Sequence, residues 1–301
     1  MTSIAVPGTL RPARARHTDL PLLLVAVCWG ASYLAAKDIT TTRTVLAVLV
    51  LRFALVLPVL VVAGHRALRA LTAAQWRGAV LLGLILSGIF LLETYGVVHT
   101  SATNAGLIIS LTMIFTPLAE SAVTRSRPTP AFLGAAALSV LGVALLTQNG
   151  GFTRPGPGDL LMLLAALART LHVLTMSRLR SVRGAGALPL TTVQLGTAVA
   201  VFAALSAARG ASPWATAAGF GAGEWTGLLF LAALCTLFAF FVQMWAVRRT
   251  SPSRVGLLLG TEPLWAAAAG LALGGDRLGA TGLAGGVLVL AGTAWGRRTA
   301  A

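Results

Sequence analysis

Ten apolar runs, each of about 18–25 residues, recur along this chain, and a run of that length crosses the hydrocarbon layer of a bilayer as a helix. They cover about residues 20–39, 45–63, 77–98, 103–124, 131–148, 158–179, 188–208, 225–247, 253–275 and 278–296. Arg, Pro, Gly or Asp bounds each one. Hydrophobic residues make up 56% of the chain and charged residues 10%, against roughly 25% charged in a soluble domain. A water-solvated surface cannot be built from this composition. The expectation is an all-α, multi-pass membrane protein.

The net charge of +15 does not indicate nucleic acid, because the arginines sit in short clusters between apolar runs and form no continuous basic face. Their distribution gives an orientation instead. Of the 23 lysines and arginines, Arg52 and Arg169 lie within spans. Five, namely Lys37, Arg43, Arg154, Arg209 and Arg277, fall on one side, and the remaining sixteen fall on the other. This predicts cytoplasmic termini in a plasma (inner) membrane. Residues 1–19 read as a disordered cytoplasmic tail. With residues 20–36 they have the outline of a signal peptide ending near Ala35-Ala36. Trp29, Tyr33 and the many later spans favour an uncleaved first helix. Pro21, Pro189 and Pro252 are expected in first turns, where a missing N–H costs little. Cys28 and Cys235 have no disulfide or metal spacing and read as small packing residues.

The chain repeats itself. "HTSATNAGLIISLT" (99–112) aligns with "RTSPSRVGLLLGTE" (249–262) at an offset of 150, which also pairs Gly142 with Gly292. "DLPLLL" (19–24) matches "DLLMLL" (159–164) at an offset of 140. The expected division is 20–150 and 151–301, five spans each. Five is odd, so the second half enters the membrane inverted, a mark of transporters whose site lies near the midplane between halves.

Several motifs resemble the drug/metabolite transporter superfamily in its EamA-type, ten-helix branch. They are "WGASY" (29–33), "RF" (52–53), "ETYGVVHTSATNAGLI" (93–108), "FTPLAE" (115–120) and "SPSRVGLLLGTEPLWAAAAGLALGGDRLGATGLAGGVLVLAG" (251–292). The resemblance spans about residues 20–297 and implies a small-molecule transporter. The chain departs from the family's pattern at "RSR" (125–127), at Asp276 in place of Glu, and at Glu93 where Gln is frequent. The Glu-Pro pair at 262–263 is common to members with different substrates.

Arg52, Glu93, Arg169 and Glu262 need explaining, because a charge facing lipid at mid-depth costs about 2.5–3.5 kcal/mol. They must face the interior, pair, or meet water. Glu262 falls near the midplane, and its repeat partner Thr112 falls at the mirrored depth. Trp29 and Arg169, partners of each other, reach the same level. Pro263 deprives the carbonyl of Leu259 of its helical donor and predicts a kink. Glu262 is either a cavity-lining proton or amine partner, or a structural acceptor at that kink. Arg169 either clamps a substrate anion or braces Glu262 or Glu93. His172 shares its face and is either a proton relay or a packing residue. Arg52 is expected in a structural pair, and Glu120 is expected to reach headgroup water. Trp29, Ser32 and Tyr33 form one face of the first helix, suited to a pocket wall or to packing. Asn104, Ser110, Thr112, Gln194 and Gln243 either line the cavity or bond between helices. Gly256/Gly260, Gly270/Gly274 and Gly282/Gly286 predict close helix contacts.

The competing classes are an intramembrane enzyme and a non-transporting sensor. "GAS" (30–32) with His172 offers a Ser–His arrangement, but Tyr33 follows where a small residue would serve an oxyanion site. No metal spacing, paired acidic motif or phosphate loop occurs, and no cofactor is expected. Without a nucleotide motif, transport must draw on substrate or ion gradients. The sequence-level reading is a secondary exporter or exchanger of a small metabolite such as an amino acid or related amphiphile.

Overall fold

A backbone in lipid has to satisfy its own N–H and C=O groups, so apolar runs of this length close into helices. In the computed structural model, which describes residues 12–125, 127–146, 155–247, 249, 255 and 258–299, no strand occurs among those residues. We number the membrane helices by pass. α1 is Pro12–Ile39, α2 Val45–Arg69, α3 Ala73–Val98, α4 Ala102–Thr124, α5 Pro130–Leu146, α6 Pro157–Arg178 and α7 Ala187–Ala208. α8 runs as Ala222–Leu229, a π-helical stretch Phe230–Phe238, and Ala239–Val247; α9 is Glu262–Ala272 and α10 is Ala280–Thr299. Seven of them are long and apolar enough to span by themselves; α5, α9 and α10 are shorter.

The packing shows the two inverted halves. α1 packs on α8 and α9, and its counterpart α6 packs on α3 and α4. The equivalent pairs α2/α7, α4/α9 and α5/α10 each meet across the pseudo-two-fold axis. The α5/α10 seam brings backbone against backbone: a Cβ at Gly285 would stand 2.4 Å from the Leu146 nitrogen, and one at Gly142 2.6 Å from the Val289 nitrogen. The close approach predicted at Gly282 and Gly286 thus falls at Gly285, because those two turn to the Leu278 and Leu107 side chains, which stay beyond 3.2 Å. At the predicted Gly270/Gly274 pair, a Cβ at Gly270 would meet Thr103 Oγ1 at 2.3 Å. Gly256, Arg154, Arg254 and Pro252 lie outside the described residues.

Two boundary expectations are corrected. α1 starts at Pro12, inside the segment read as a tail, so Pro21 lies within the helix and not in its first turn. Pro189 is in the first turn of α7 as expected. Pro263 does not kink a continuous helix. The chain is helical at Leu258 and Leu259, turns at Gly260–Thr261, and restarts at Glu262, leaving Pro263 where no helical donor is required.

The same interruption occurs in α4, between Ala102–Ile109 and Thr112–Thr124. Its tight i→i+3 bonds match those of α9 residue for residue at an offset of 150. Leu111 N donates to Ile108 O at 3.1 Å, as Thr261 N does to Leu258 O at 3.2 Å. Ile114 N donates to Leu111 O at 2.8 Å, as Leu264 N does to Thr261 O at 3.0 Å. Hydroxyls support each break: Ser110 bonds Leu107 O and Thr112 bonds Ile109 O, while the Thr261 hydroxyl adds a second bond to Leu258 O.

Candidate functional site

Glu262 opens the second segment of α9 on the face shared with buried Pro263, Ala266 and Ala269, while Leu264, Trp265 and Leu271 face outward. Its carboxylate accepts a hydrogen bond from the Tyr33 hydroxyl at 2.6 Å. Tyr33 is 6% exposed and packs in a core cluster with Ile108, Ala165, Ala166 and Ala266, contributed by α4, α6 and α9. Its bulk can enter because α1 and α4 carry glycines where they meet α9: a Cβ at Gly30 would lie 2.5 Å from Trp265 Cβ, and one at Gly106 2.1 Å from Ala266 Cβ.

Arg169 lies on the α6 face that carries Met162, Ala165 and Ala166, opposite the outward stripe Leu160, Leu164, Leu167 and Leu171. Its Nε forms an ion pair with Glu93 on α3. Glu93 is buried, whereas the Arg169 side chain keeps 34% exposure. Arg169, Glu93, Tyr33 and Glu262 lie within electrostatic reach of one another, and Arg52 lies within electrostatic reach of Arg169, Glu93 and Tyr33. The four intramembrane charges therefore gather into one formally neutral group at the junction of the halves. Dispersed on lipid faces, they would cost on the order of 10 kcal/mol together.

Arg52 pairs with a hydroxyl and two aromatic rings. Its Nε and Nη2 donate to Thr236 Oγ1 at 3.3 Å each, and the guanidinium lies 5.1 Å and 5.7 Å from the ring centroids of Phe53 and Phe90. Thr236 passes its own proton to Leu231 O at 2.8 Å within the π-helical stretch. Neither Thr236 nor the π-helix was foreseen, since "FLAALCTLF" (230–238) is a featureless apolar run. Trp29 also meets that stretch: its indole N–H donates to Cys235 O at 2.8 Å. Cys235 Sγ bonds Cys28 O at 3.2 Å, and both cysteines are free.

Other sequence candidates stand apart from this group. Ser32 bonds Trp29 O at 2.6 Å, and His172 bonds Gln194 Oε1 at 2.8 Å, so the two do not form a Ser–His dyad. Ser110 serves its own helix break, as does Thr112, whose hydroxyl also approaches Ala166 O at 3.5 Å. Asn104 belongs to the N-terminal end of α4, where its amide donates to Asp159 Oδ1 at 3.3 Å. Asp159 also receives the Thr100 hydroxyl at 2.5 Å and Gly156 N at 3.0 Å. Gln243 lies seven residues beyond Thr236, about 10 Å along the helix axis, and no hydrogen bond joins it to the charged group among the described residues. Glu120 is exposed near the end of α4.

A broken-helix bundle with charges facing its pseudo-two-fold junction defines a membrane-transporter architecture. The EamA-like transporter family matches residues 18–148 and again 156–295, and the chain belongs to that family. An uncharacterized transporter of Archaeoglobus fulgidus is 26% identical over 259 residues, covering 83% of this chain and 86% of that protein. A solved crystal structure superposes with a TM-score of 0.57 at 19% identity, over 93% of this chain and 96% of the other. At that identity the likeness shows the fold.

Proposed function

We propose that this EamA-family transporter is a secondary exporter or exchanger of a small organic metabolite, such as an amino acid or related amphiphile. The two halves rock around a midplane cavity in a plasma membrane, with both termini cytoplasmic. The observation that carries this reading is Glu262, held by Tyr33 at the α9 break, beside an Arg169 that engages Glu93 through Nε alone and remains one-third exposed. Glu262 serves as the proton or amine partner. The terminal amino groups of Arg169 are the anion partner, since a guanidinium has five N–H donors and the Glu93 contact takes one. Substrate and proton gradients supply the energy. The separate bonding of Ser32 and His172 favours transport over the enzyme alternative.

Amino-acid uptake driven by a pH gradient into proteoliposomes tests the proposal. Glu262→Gln keeps an acceptor for Tyr33 but removes the ionisable group, so the gradient should cease to drive uptake. Gradient-driven uptake equal to that of the parent protein would eliminate the proton role.

A further inference from the structure

A cavity of about 620 Å³ opens at the arginine-poor end of the bundle, away from the midplane charges. Thr42 and Arg43 in the turn before α2, Tyr95 near the end of α3, and Arg209, Ser212 and Thr216 after α7 line it. It therefore lies between the two halves. No acidic residue is part of its wall. Among the described residues neither Arg43 nor Arg209 is in an ion pair. Of the acids at this end, Asp159 bonds Gly156 N and Thr100, Glu224 bonds Gly221 N and Asp276 bonds Thr103 N, while exposed Asp38 at the end of α1 is not part of the cavity wall.

We infer that this cavity is a binding site for the phosphate group of an organic phosphate ester. Two guanidinium groups line a cavity whose wall holds no acidic residue, and Arg carries five donors in a geometry matched to oxyanions. Tyr95 Oη accepts from Arg209 Nη1 at 3.5 Å, and Ser212 Oγ accepts from Ala215 N at 3.2 Å, so each keeps its own hydroxyl proton to give. That exceeds what the two oxygens of a carboxylate can receive and suits the three or four of a phosphate. The volume lies within the range of small-molecule sites and far exceeds a bare phosphate. Leu46, Ala211 and Ala215 supply an apolar wall for the organic part. Phosphate of this kind comes from a lipid headgroup at the membrane surface or from a soluble phosphate ester.

The test uses full-length, delipidated protein in detergent at fixed ionic strength. Its thermal stability is titrated with glycerol 3-phosphate, with dioleoylphosphatidylglycerol, and with dioleoylglycerol as the headgroup-free control, because a ligand of the native state raises apparent stability. A saturable rise with at least one phosphate probe is expected, and none with dioleoylglycerol. Response to glycerol 3-phosphate assigns a soluble ester; response to the phospholipid alone assigns a headgroup. Arg43→Gln and Arg209→Gln, singly and together, should raise the half-saturating concentration at least about tenfold per lost charged contact. Arg66→Gln with Arg69→Gln, at the other end of α2, should leave it unchanged. Both target arginines are exposed and free of ion pairs, so the single variants fold. The site is refuted by no response to either phosphate probe, an equal response to dioleoylglycerol, or unchanged titrations in the Arg43 and Arg209 variants.

Discussion

Trp29 and Arg169 stand 140 residues apart and make the same connection: each fastens the first helix of its half to the third helix of the other. Trp29 on α1 donates to the Cys235 carbonyl on α8, and Arg169 on α6 donates to Glu93 on α3. The neutral member of the pair leans on a carbonyl within a π-helix. The charged member needs a carboxylate, and this accounts for Glu93.

The Arg169–Glu93 contact therefore has a bracing part that can be separated from substrate binding. Arg169→Met alone should lower unfolding stability by about 3–5 kcal/mol, since it leaves buried Glu93 unpaired, and Glu93→Leu should lower it by less, since Arg169 is one-third exposed. The double replacement should recover most of that loss in a thermal melt. If Arg169 also holds a substrate carboxylate, the stable double variant will still fail to transport carboxylate-bearing compounds.

Tyr33→Phe removes the hydroxyl that donates to Glu262 and leaves the ring packing in place. The expected cost is about 1–3 kcal/mol for an acceptor deprived of its partner. A double-mutant cycle with Glu262→Gln, read by thermal unfolding, should show non-additive losses. Additive losses would mean the two residues act separately.

Thr236→Val deprives both Arg52 donors of their acceptor and frees the Leu231 carbonyl. It should destabilise by about 1–3 kcal/mol. Phe90→Leu, which removes one of the two rings near the guanidinium, should cost the ring's cation–π share of about 0.5–2 kcal/mol in addition to packing. Melting curves of the two variants check both figures.

Two glycines should respond in opposite directions to the same added methyl. Gly285→Ala forces α5 and α10 apart and should lower stability by about 1–3 kcal/mol or more. Gly88→Ala meets nothing within 4 Å on α3 and should stabilise by about 0.5–1 kcal/mol through helix propensity. Equal melting temperatures for the two variants would contradict the close α5/α10 seam.

Much of this arrangement is legible in the sequence because the duplicated segments carry it. The offset of 150 that pairs Thr112 with Glu262 also pairs the two helix breaks. The energetic cost of charge in lipid marked Arg52, Glu93, Arg169 and Glu262 as interior. What stayed hidden depended on side-chain direction. Pro263 announced an irregularity in α9, but the matching break in α4 has no proline at its turn. Hydroxyls of Ser110 and Thr112 sustain it, and those two residues read equally well as cavity lining. Asn104 was grouped with the site by polarity alone, whereas it serves the end of α4 with Asp159. Thr236 could not be chosen as the partner of Arg52, because 184 residues separate them and a π-helix leaves no mark in an unbroken apolar run.

The two helix breaks are alike in backbone and unlike in charge. Where related halves exchange shapes during a cycle, the inward-facing form of one becomes the outward-facing form of the other. Two identical breaks would make those forms mirror images of equal energy. Here α9 carries a carboxylate at its break and α4 only a hydroxyl, so in the proposed cycle the two forms would differ in energy. Glu262 is thus the side chain that makes two breaks of like backbone chemically distinct.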